Sequence, residues 1–304
     1  MISLTVAIPS YGRDAVLVDS LTALLALDPP PWELLLVDQT PRHDPATEAQ
    51  LSAWQQEGCL RWLRLPQPSI TGAMNRALQE ARGERVLFLD DDILPDPDLL
   101  AAHVRAGCAH PEAMVAGRIL QPWHQGVPDP EGAPFLFNSL EPRNLNEFMG
   151  GNVSLSRKEA LALGGFDTNF VRVAYRFEAE FAHRWRQAGL AILYAPDALI
   201  HHLKAERGGT RSYGEHLTTL RPDHAVGRYY FRLRTQPLAM ALADSFSDLL
   251  RSVRTLHHLR HPWWIPLTLL AEARGLCWAL RLHHRGPGLV AGSRAWQGAT
   301  EARI

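Results

Sequence analysis

The chain has 304 residues, of which 46% are hydrophobic, and a formal net charge of −1. This length fits one large α/β domain, with or without an appendage, and the balanced charge argues against nucleic acid as a general partner. Three scattered cysteines argue against a disulfide framework and favour a reducing compartment. We find no signal-peptide pattern at the N-terminus and no run of about 18 apolar residues that predicts a membrane span.

The first 90 residues alternate strand-like apolar runs with helical segments. This alternation predicts a parallel sheet with crossover helices. No GxxxxGK[ST] or GxGxxG motif follows the first strand, which disfavours a P-loop or an ordinary dinucleotide site. The predicted elements are a strand at 4–8, a helix at 14–27, a strand at 33–37, a helix–strand pair within 45–65, a helix at 71–82 and a strand at 86–89.

The strand at 86–89 ends in three consecutive carboxylates, Asp90, Asp91 and Asp92. Its apolar residues are continuous, as in a strand that is buried on both faces. Ligands of open α/β sheets bind beyond the carboxyl ends of the strands, and a divalent cation can offset like charges gathered there. The triplet therefore predicts a metal site that holds a phosphate. A solvated acidic turn before the next helix is the alternative.

Other polar residues follow neighbouring strands of the predicted sheet. Pro9 and Tyr11 follow the first strand, and Asp38 ends the second. We expect these residues along the same edge as the acidic triplet. A carboxylate there can accept a hydrogen bond from a ribose hydroxyl or a base, although a turn or capping role suits Asp38 equally well.

The second half of the chain contributes further acids. A long loop at 121–147 is predicted to lie over the active face. A helix over 175–189 carries Glu178 and Glu180 in its first turn, where the helix dipole favours carboxylates. Charge complementarity with the dipole alone would also explain these two acids.

Basic and imidazole groups come next in the chain. His201 and His202 end an apolar run, and either a structural or a metal-binding role remains open. Arg207 and Arg211 lie in a glycine-rich loop, from which they could reach a diphosphate or simply face solvent. The segment 251–264 is basic with adjacent aromatic residues, which suits either an anionic bilayer surface or a packed tail. We expect a catalytic domain at 1–221, a helical extension at 222–285 and a disordered tail at 286–304.

Taken in order, these motifs resemble the family 2 glycosyltransferases over about residues 3–215. The resemblance implies the GT-A fold, a Rossmann-like, mostly parallel sheet flanked by helices, to which this chain adds a helical C-terminal extension. It also implies an inverting enzyme that uses a nucleotide-sugar donor and Mg²⁺ or Mn²⁺. The matching segments are Val6-Ala-Ile-Pro-Ser-Tyr-Gly-Arg13, Leu36-Val-Asp38, Gly72-Ala-Met-Asn75, Phe88-Leu-Asp-Asp-Asp-Ile-Leu-Pro95, Gly150-Gly-Asn-Val-Ser154, Gly164-Gly-Phe-Asp167, the helix from Glu178, and Pro196 to His202.

The resemblance also implies roles for individual residues. Asp92 is the main expected metal ligand, with Asp90 and His202 beside it. The spacing from the proline favours His202 over His201. Nucleotide-sugar contacts are implied for Pro9, Tyr11, Arg13, Asp38, Asn75, Asp90, Asp91 and Arg211, and contacts with the acceptor or the donor sugar for Gly151 and Asn152.

The acidic helix departs from the family pattern. Phe177 stands where the family has Glu, and Glu178 stands where it has Asp, with Glu180 as the following acid. The resemblance therefore implies Glu178 as the catalytic base, with Glu180 beside it as a second catalytic candidate. The departure also keeps a second hypothesis open, a non-catalytic nucleotide-binding or scaffolding homologue in a glycan assembly complex.

The family resemblance and the C-terminal composition imply partners and a location. We expect a nucleotide-sugar donor and a glycan or lipid-linked acceptor, in bacterial polysaccharide or glycolipid synthesis. The expected location is the cytoplasm, either free or peripheral at the inner face of the cytoplasmic membrane. A sugar nucleotidyltransferase is disfavoured, because Gly208-Gly-Thr-Arg211 lies too late in the chain to be its nucleotide loop.

Overall fold

The computed structural model describes residues 2–124, 128, 135–205, 207–209 and 219–291. In this part of the chain the strands are β1 (Leu4–Ser10), β2 (Glu33–Asp38), β3 (Arg61–Arg64), β4 (Arg85–Leu89), β5 (Ile93–Pro95), β6 (Met114–Leu120), β7 (Arg143–Asn144), β8 (Asn152–Ser156) and β9 (Ile192–His202). The α-helices are α1 (Ala15–Leu25), α2 (Pro45–Glu57), α3 (Ile70–Glu80), α4 (Leu99–Ala109), α5 (Arg157–Ala162), α6 (Phe177–Gln187), α7 (Ala225–Thr235), α8 (Leu238–Arg251), α9 (Leu256–Arg260) and α10 (Ile265–Arg285).

All of these strands join one mixed sheet in the order β3-β2-β1-β4-β8-β6-β9-β5, with β7 paired to β9. The strands β3, β2, β1 and β4 are parallel, which confirms the sheet predicted for the first 90 residues. Strand β8 runs antiparallel between β4 and β6, and β9 is parallel to β6. The carboxyl ends of β1, β2, β4 and β9 therefore meet the start of β8 at one edge of the sheet.

Helices cover both faces of the sheet, so successive residues of the central strands enter two different cores. Along β4, Leu87 and Leu89 pack with α1, α2 and α4 on one face. Val86 and Phe88 pack with α3, α5, α6 and α7 on the other face. Burial on both faces explains why these strands are continuously apolar rather than alternating.

The C-terminal helices pack directly on the core of the sheet. Tyr229 and Tyr230 of α7 are fully buried within the core that α3 and α6 share. The Tyr230 hydroxyl donates to Asp167 at 2.8 Å. The helical extension predicted at 222–285 is therefore continuous with the core of the sheet. No helix among the described residues is long and apolar enough to cross a membrane.

Two strands beyond β4 were not part of the sequence prediction. Residues Ile93–Pro95 form an edge strand, which pairs with the end of β9. Strand β9 runs unbroken through Pro196 to His202. The start of the tail predicted to be disordered is bound to the domain, since Gly288 donates its backbone N–H to Asp167 and Val290 donates to the Gly164 carbonyl. Residues 292–304 lie outside the described chain.

Candidate active site

The edge where the strands end brings Asp90, Asp92 and His202 together. One ligand atom from each of these side chains lies within 4.8 Å of the others. His202 Nε2 is 3.1 Å from Asp92 Oδ1 and 3.7 Å from Asp90 Oδ2. Two carboxylates and an imidazole converging on one point form a donor set that suits a divalent cation such as Mn²⁺.

Gln121 sets the orientation of the imidazole. Its side-chain oxygen lies 2.9 Å from His202 Nδ1. An amide oxygen can only accept, so Nδ1 carries the proton of the neutral ring and Nε2 keeps its lone pair toward the two aspartates. Burial alone would lower the pKa of His202, but the hydrogen bond with Asp92 and the charge of Asp90 outweigh it, and the pKa is raised. A bound cation would replace the proton that these carboxylates attract.

The two adjacent histidines, His201 and His202, have different surroundings. His202 points into the acidic group, whereas His201 is exposed on the same strand, opposite Leu94 of β5. Because successive residues of a strand point to opposite sides, only one of the two histidines can face the aspartates.

Arg13 forms ion pairs with two of the three aspartates of the acidic triplet. Its Nε donates to Asp91 and its Nη2 to Asp92, each at 3.1 Å. Asp91 also accepts from the Ser10 hydroxyl at 2.7 Å and is buried, and burial raises the pKa of Asp91 to about 6. Asp91 and Arg13 were both predicted to contact the donor. In the structure they are buried behind the cluster of Asp90, Asp92 and His202, and Arg13 positions Asp92 within that cluster.

Asp92 is held by the loop that follows β9 as well as by Arg13. The backbone N–H of Ala205 donates to Asp92 Oδ2 at 2.8 Å, which leaves Oδ1 toward His202. Burial would raise the pKa of Asp92, but the bonds from His202 and Ala205 lower it below its usual value. Asp92 therefore stays ionised, as a metal ligand must.

Asp38 reaches the same edge but is fully occupied by protein groups. Its carboxylate accepts from His43 Nε2 at 2.9 Å, Trp62 Nε1 at 3.0 Å and the Thr40 backbone N–H at 2.9 Å. Asp38 is only 1% exposed. Its predicted contact with a nucleoside remains a prediction, and at this burial it requires a neighbouring side chain to move aside.

Two adjacent glycines, Gly150 and Gly151, lie between the Asp90–Asp92–His202 cluster and helix α6. A Cβ on Gly151 would lie 2.1 Å from Asp90 Oδ2, so only glycine leaves room for that carboxylate. The backbone N–H of Gly150 donates to Glu178 Oε1 at 2.9 Å. Because each glycine touches one of the acids, the carboxyl groups of Asp90 and Glu178 are no more than roughly 12 Å apart.

Glu178 and Glu180, which are two residues apart, have different environments. Glu178 is half-buried beside Gly150 at the sheet edge. Glu180 is buried, and both of its oxygens accept from Arg184, at 2.9 and 2.8 Å. Arg184 in turn donates to the carbonyls of Leu163 and Gly165. Glu180, predicted to be catalytic, is therefore engaged in an internal ion pair and does not reach the site.

The loop before α6 is strained. Arg172, Ala174 and Arg176 all have positive φ, between +49° and +71°, a conformation that is uncommon for residues other than glycine. Arg176 is held there by an ion pair with Glu147 and by its stacking over Phe231 at 4.5 Å. Such strain is found where a functional group must be aimed, and this loop aims the first turn of α6.

The remaining predicted residues are mostly structural supports. Asn75 exchanges two hydrogen bonds with the backbone of Phe166, each at 2.7 Å. Asn152 bonds His103, Arg118 and Ala198 from inside the sheet. Pro9 and Tyr11 are partly exposed at the sheet edge, and the Tyr11 carbonyl accepts from Gly209 at 2.7 Å. Arg211 lies outside the described residues.

The sequence analysis did not identify three residues of this site: Ser10, His43 and Gln121. The position of Ser10 at the tip of β1 was a usable signal, since it lies between two residues that were singled out. Neither His43 nor Gln121 belongs to a recognisable motif, and their roles depend on contacts with Asp38 and His202 that only the fold creates.

Comparisons with known proteins identify similar sequences. Residues 5–152 match the sequence profile of the family described as Glycosyl transferase family 2. The glucosyl-dolichyl phosphate glucuronosyltransferase of Haloferax volcanii is 28% identical over 148 residues, which are 44% of this chain and 47% of that protein. The two matched curated relatives are covered over 12% and 47% of their lengths, so the chain spans less than half of either.

Solved structures share the fold. A mannosyltransferase, PcManGT from Pyrobaculum calidifontis in complex with GDP-Man and Mn²⁺, has a TM-score of 0.54 and 21% identity over 99% of this chain and 80% of that chain. S. aureus TarS 1-349 in complex with UDP-GlcNAc has a TM-score of 0.57 and 14% identity over 94% of this chain and 92% of that one. The profile match over residues 5–152, the GT-A fold and the acidic triplet at the end of β4 together support a family 2 glycosyltransferase.

Proposed function

We propose that the protein is an inverting glycosyltransferase that moves a sugar from a nucleotide-diphosphate sugar to a hydroxyl acceptor. The observation that supports this most directly is the Gly150–Gly151 pair, which contacts Glu178 on one side and Asp90 on the other. Through this pair, a carboxylate able to take a proton lies within roughly 12 Å of a carboxylate able to hold a cation, at the same edge of the sheet. A single-displacement transfer needs both groups there.

Asp90, Asp92 and His202 would hold the cation, which we propose to be Mg²⁺ or Mn²⁺. Once bound, it neutralises the negative charge that develops on the departing diphosphate. Arg13 keeps Asp92 ionised and aimed at that position, since it donates to Asp91 and Asp92 together. Solved structures of similar fold that contain Mn²⁺ support a divalent cation.

Glu178 is the proposed catalytic base. In this role it takes the proton from the acceptor hydroxyl while that oxygen attacks the anomeric carbon from the face opposite the diphosphate. The hydrogen bond from Gly150 orients Oε1, and the Glu178 side chain stays half-buried at the sheet edge. Inversion follows because one displacement occurs without a covalent intermediate on the protein.

A thermal-shift screen with UDP, GDP and their sugar derivatives, with and without Mn²⁺, tests the donor site. At a ligand concentration of 100 Kd the stabilisation is about 2.7 kcal/mol, which raises the melting temperature by roughly 4 °C for a chain of this length. Asp92→Asn should remove the shift that depends on Mn²⁺. Asp98→Asn is the matched control, because Asp98 is exposed and makes no side-chain cap of α4.

Release of nucleoside diphosphate in the presence of an acceptor then separates the enzyme from a non-catalytic homologue. We expect the wild-type protein to release it and Glu178→Gln to bind the nucleotide without turnover. If the wild type binds a sugar nucleotide but never releases diphosphate with any hydroxyl acceptor, the transferase proposal fails and the scaffolding hypothesis replaces it.

We further propose that the protein works at an anionic bilayer surface, on a glycan or lipid-linked acceptor of bacterial polysaccharide or glycolipid synthesis. The support is the outward face of α8, where apolar side chains recur every four residues while Asp244 and Asp248 pair with Arg232. Amphipathic helices normally expose the polar side, so this inverted pattern favours burial of the apolar stripe against another phase. The stripe consists of Leu238, Leu242, Phe246 and Leu250, which are 39% to 60% exposed.

Co-sedimentation with vesicles tests this surface. Phe246→Ser should reduce binding to vesicles that contain anionic lipid, and Cys108→Ser, an exposed position on α4, should leave it unchanged. Equal binding of both variants would argue against α8 as the contact, and the location at the inner face of the membrane would lose its support.

A further inference from the structure

An arginine-lined cavity lies on the C-terminal helices. Its volume is about 780 Å³, which is in the range of small-molecule sites. One wall is a single face of α10, and the opposite wall comes from the loop before α6 and from the residues just before α7. Five arginines line it against one aspartate, Asp223; these are Arg172, Arg221, Arg274, Arg281 and Arg285.

Most of this positive charge has no acidic partner. Arg172 lies 3.6 Å from Asp223, and Arg274 donates to the Leu220 carbonyl. Within the described chain, Arg221, Arg281 and Arg285 have no carboxylate at ion-pair distance, in contrast to the paired arginines of α7. Arg281 and Arg285 are one turn apart on the same helix face, where like charges destabilise a helix. An anion bound between the walls would reverse that repulsion.

The chemistry of the lining indicates which anion. Guanidinium groups bind phosphate through paired N–H donors, and several of them converging on one space favour a phosphate over a carboxylate of lower charge. The lining also has apolar side chains: Leu270 lies on the N-terminal part of the same α10 face, and Trp278 lies between Arg274 and Arg281. Leu270 is 52% exposed. A ligand that fills the whole cavity therefore has a phosphate end and an apolar end.

The cavity is connected to the candidate active site through one short segment. Arg172 belongs to the strained loop that ends at α6 and is six residues before Glu178. Six residues span at most roughly 20 Å even when fully extended. The backbone of Tyr175 in this loop packs against Gly227 of α7, where a Cβ would lie 2.4 Å from the Tyr175 carbonyl oxygen. A ligand held by Arg172 is thus within reach of the acidic helix.

We propose that this cavity binds the phosphate or diphosphate group of an amphipathic acceptor, with its apolar part along Leu270 and Trp278. The proposal rests on the transferase function given above and names the acceptor class that the same protein would take. The shared chemistry is a phosphate ester, which could come from a lipid-linked molecule or from a free phosphate, and the experiment separates these two sources.

Cys277 gives a direct readout because it is exposed in the lining of the cavity, whereas Cys108, exposed on α4, serves as an internal reference. The full chain is labelled with iodoacetamide, and the modification of each cysteine is followed by peptide mass spectrometry. We expect decyl phosphate, used below its micelle concentration, to slow labelling of Cys277 at least fivefold and to leave Cys108 unaffected. Protection by decanol at the same concentration would overturn phosphate recognition.

Inorganic phosphate and pyrophosphate form the second arm. If either one protects Cys277 at the same concentration as decyl phosphate, the amphipathic assignment is overturned. Weaker protection by both supports it, since the apolar wall then contributes to binding.

Paired charge-removing variants form the third arm. Arg281→Gln combined with Arg285→Gln should raise the half-maximal concentration of decyl phosphate at least about tenfold. The matched control is Arg105→Gln combined with Arg186→Gln, which removes the same charge from exposed positions outside the cavity. Equal protection in both double variants would overturn the site.

The outcome is separable from that of the transferase proposal. The Arg281 and Arg285 double variant should keep its Mn²⁺-dependent nucleotide shift, because none of the cation ligands lines this cavity. Asp92→Asn should lose that shift and still show protection of Cys277. If Cys277 is not protected, the cavity proposal fails and the donor-site proposal is unaffected. If the Mn²⁺-dependent nucleotide shift is absent, the donor-site proposal fails and the cavity proposal is unaffected.

Discussion

Gly151→Ala should weaken cation binding without unfolding the protein. An added Cβ would stand 2.1 Å from Asp90 Oδ2 and 2.6 Å from Asp90 Cγ, closer than the 3.0 Å that real Cβ contacts keep. The carboxylate must therefore move by about 1 Å, whereas metal–ligand distances tolerate only about 0.2 Å. Asp90 can make this movement, because its side chain is 50% exposed.

The expected magnitudes differ for binding and for stability. Changing even a supporting residue of a metal site typically weakens affinity by about 10- to 100-fold, which corresponds to about 1.4 to 2.7 kcal/mol. Loss of one of three protein ligands should reach at least that range. Stability should stay within about 1 kcal/mol, since Gly151 has no left-handed backbone that alanine would strain and the displaced carboxylate turns into solvent.

Mn²⁺ titration followed by electron paramagnetic resonance measures the affinity, and circular dichroism melting measures the stability. Asp90→Asn should weaken binding similarly. Gly150→Ala is the matched control, because its Cβ would face Glu178 at 3.2 Å rather than Asp90, so its Mn²⁺ affinity should stay within about twofold of wild type. If Asp90→Asn weakens Mn²⁺ binding but Gly151→Ala binds Mn²⁺ as tightly as the wild type, the steric argument is refuted.

Three further outcomes follow from the same geometry. Glu178→Gln should lower kcat at least about 100-fold at an unchanged melting temperature, since glutamine still accepts the Gly150 N–H; a normal kcat would remove Glu178 from the reaction. Glu180→Gln should lower the free energy of unfolding by about 3 kcal/mol in urea, because its pair with Arg184 is buried; wild-type stability would contradict this. Burial lowers the pKa of His103 from 6.5 to about 4. Between these two pH values the imidazole is protonated in the unfolded chain and neutral in the folded one. Stability should therefore fall by about 3 kcal/mol between pH 6.5 and pH 4, and His103→Gln should show a shallower slope in pH-dependent urea unfolding.

The sequence predicted the parallel half of the sheet and the place of the acidic triplet. Both depend on local signals, because a buried strand needs a continuous apolar run and strand ends must meet along one edge. The pairing of Asp90 and Asp92 with His202 agrees with the implied ligand set. The edge strand at 93–95 was missed, because three residues are too few to show a period and their pairing partner is more than 100 residues away.

Acidic residues with similar sequence contexts have different hydrogen-bond partners in the fold. Glu178 and Glu180 share one helical turn, yet Arg184 takes up only Glu180. Asp38 ends a strand as the acidic triplet does, yet His43 and Trp62 enclose its carboxylate. No pattern of residue types distinguishes these cases, because burial depends on the side chains that arrive from other elements.

By itself, then, the amino-acid sequence determined the alternation of strands and helices, the resemblance to family 2 glycosyltransferases and the edge at which the acids gather. Only the tertiary structure decided which acids remain open to a ligand and which are bound internally, and only it assembled the arginine cavity from α10 and two distant loops. The physical reason is range. Periodicity acts over a few neighbouring residues, whereas Arg13, for example, bonds the Ala205 carbonyl 192 positions away.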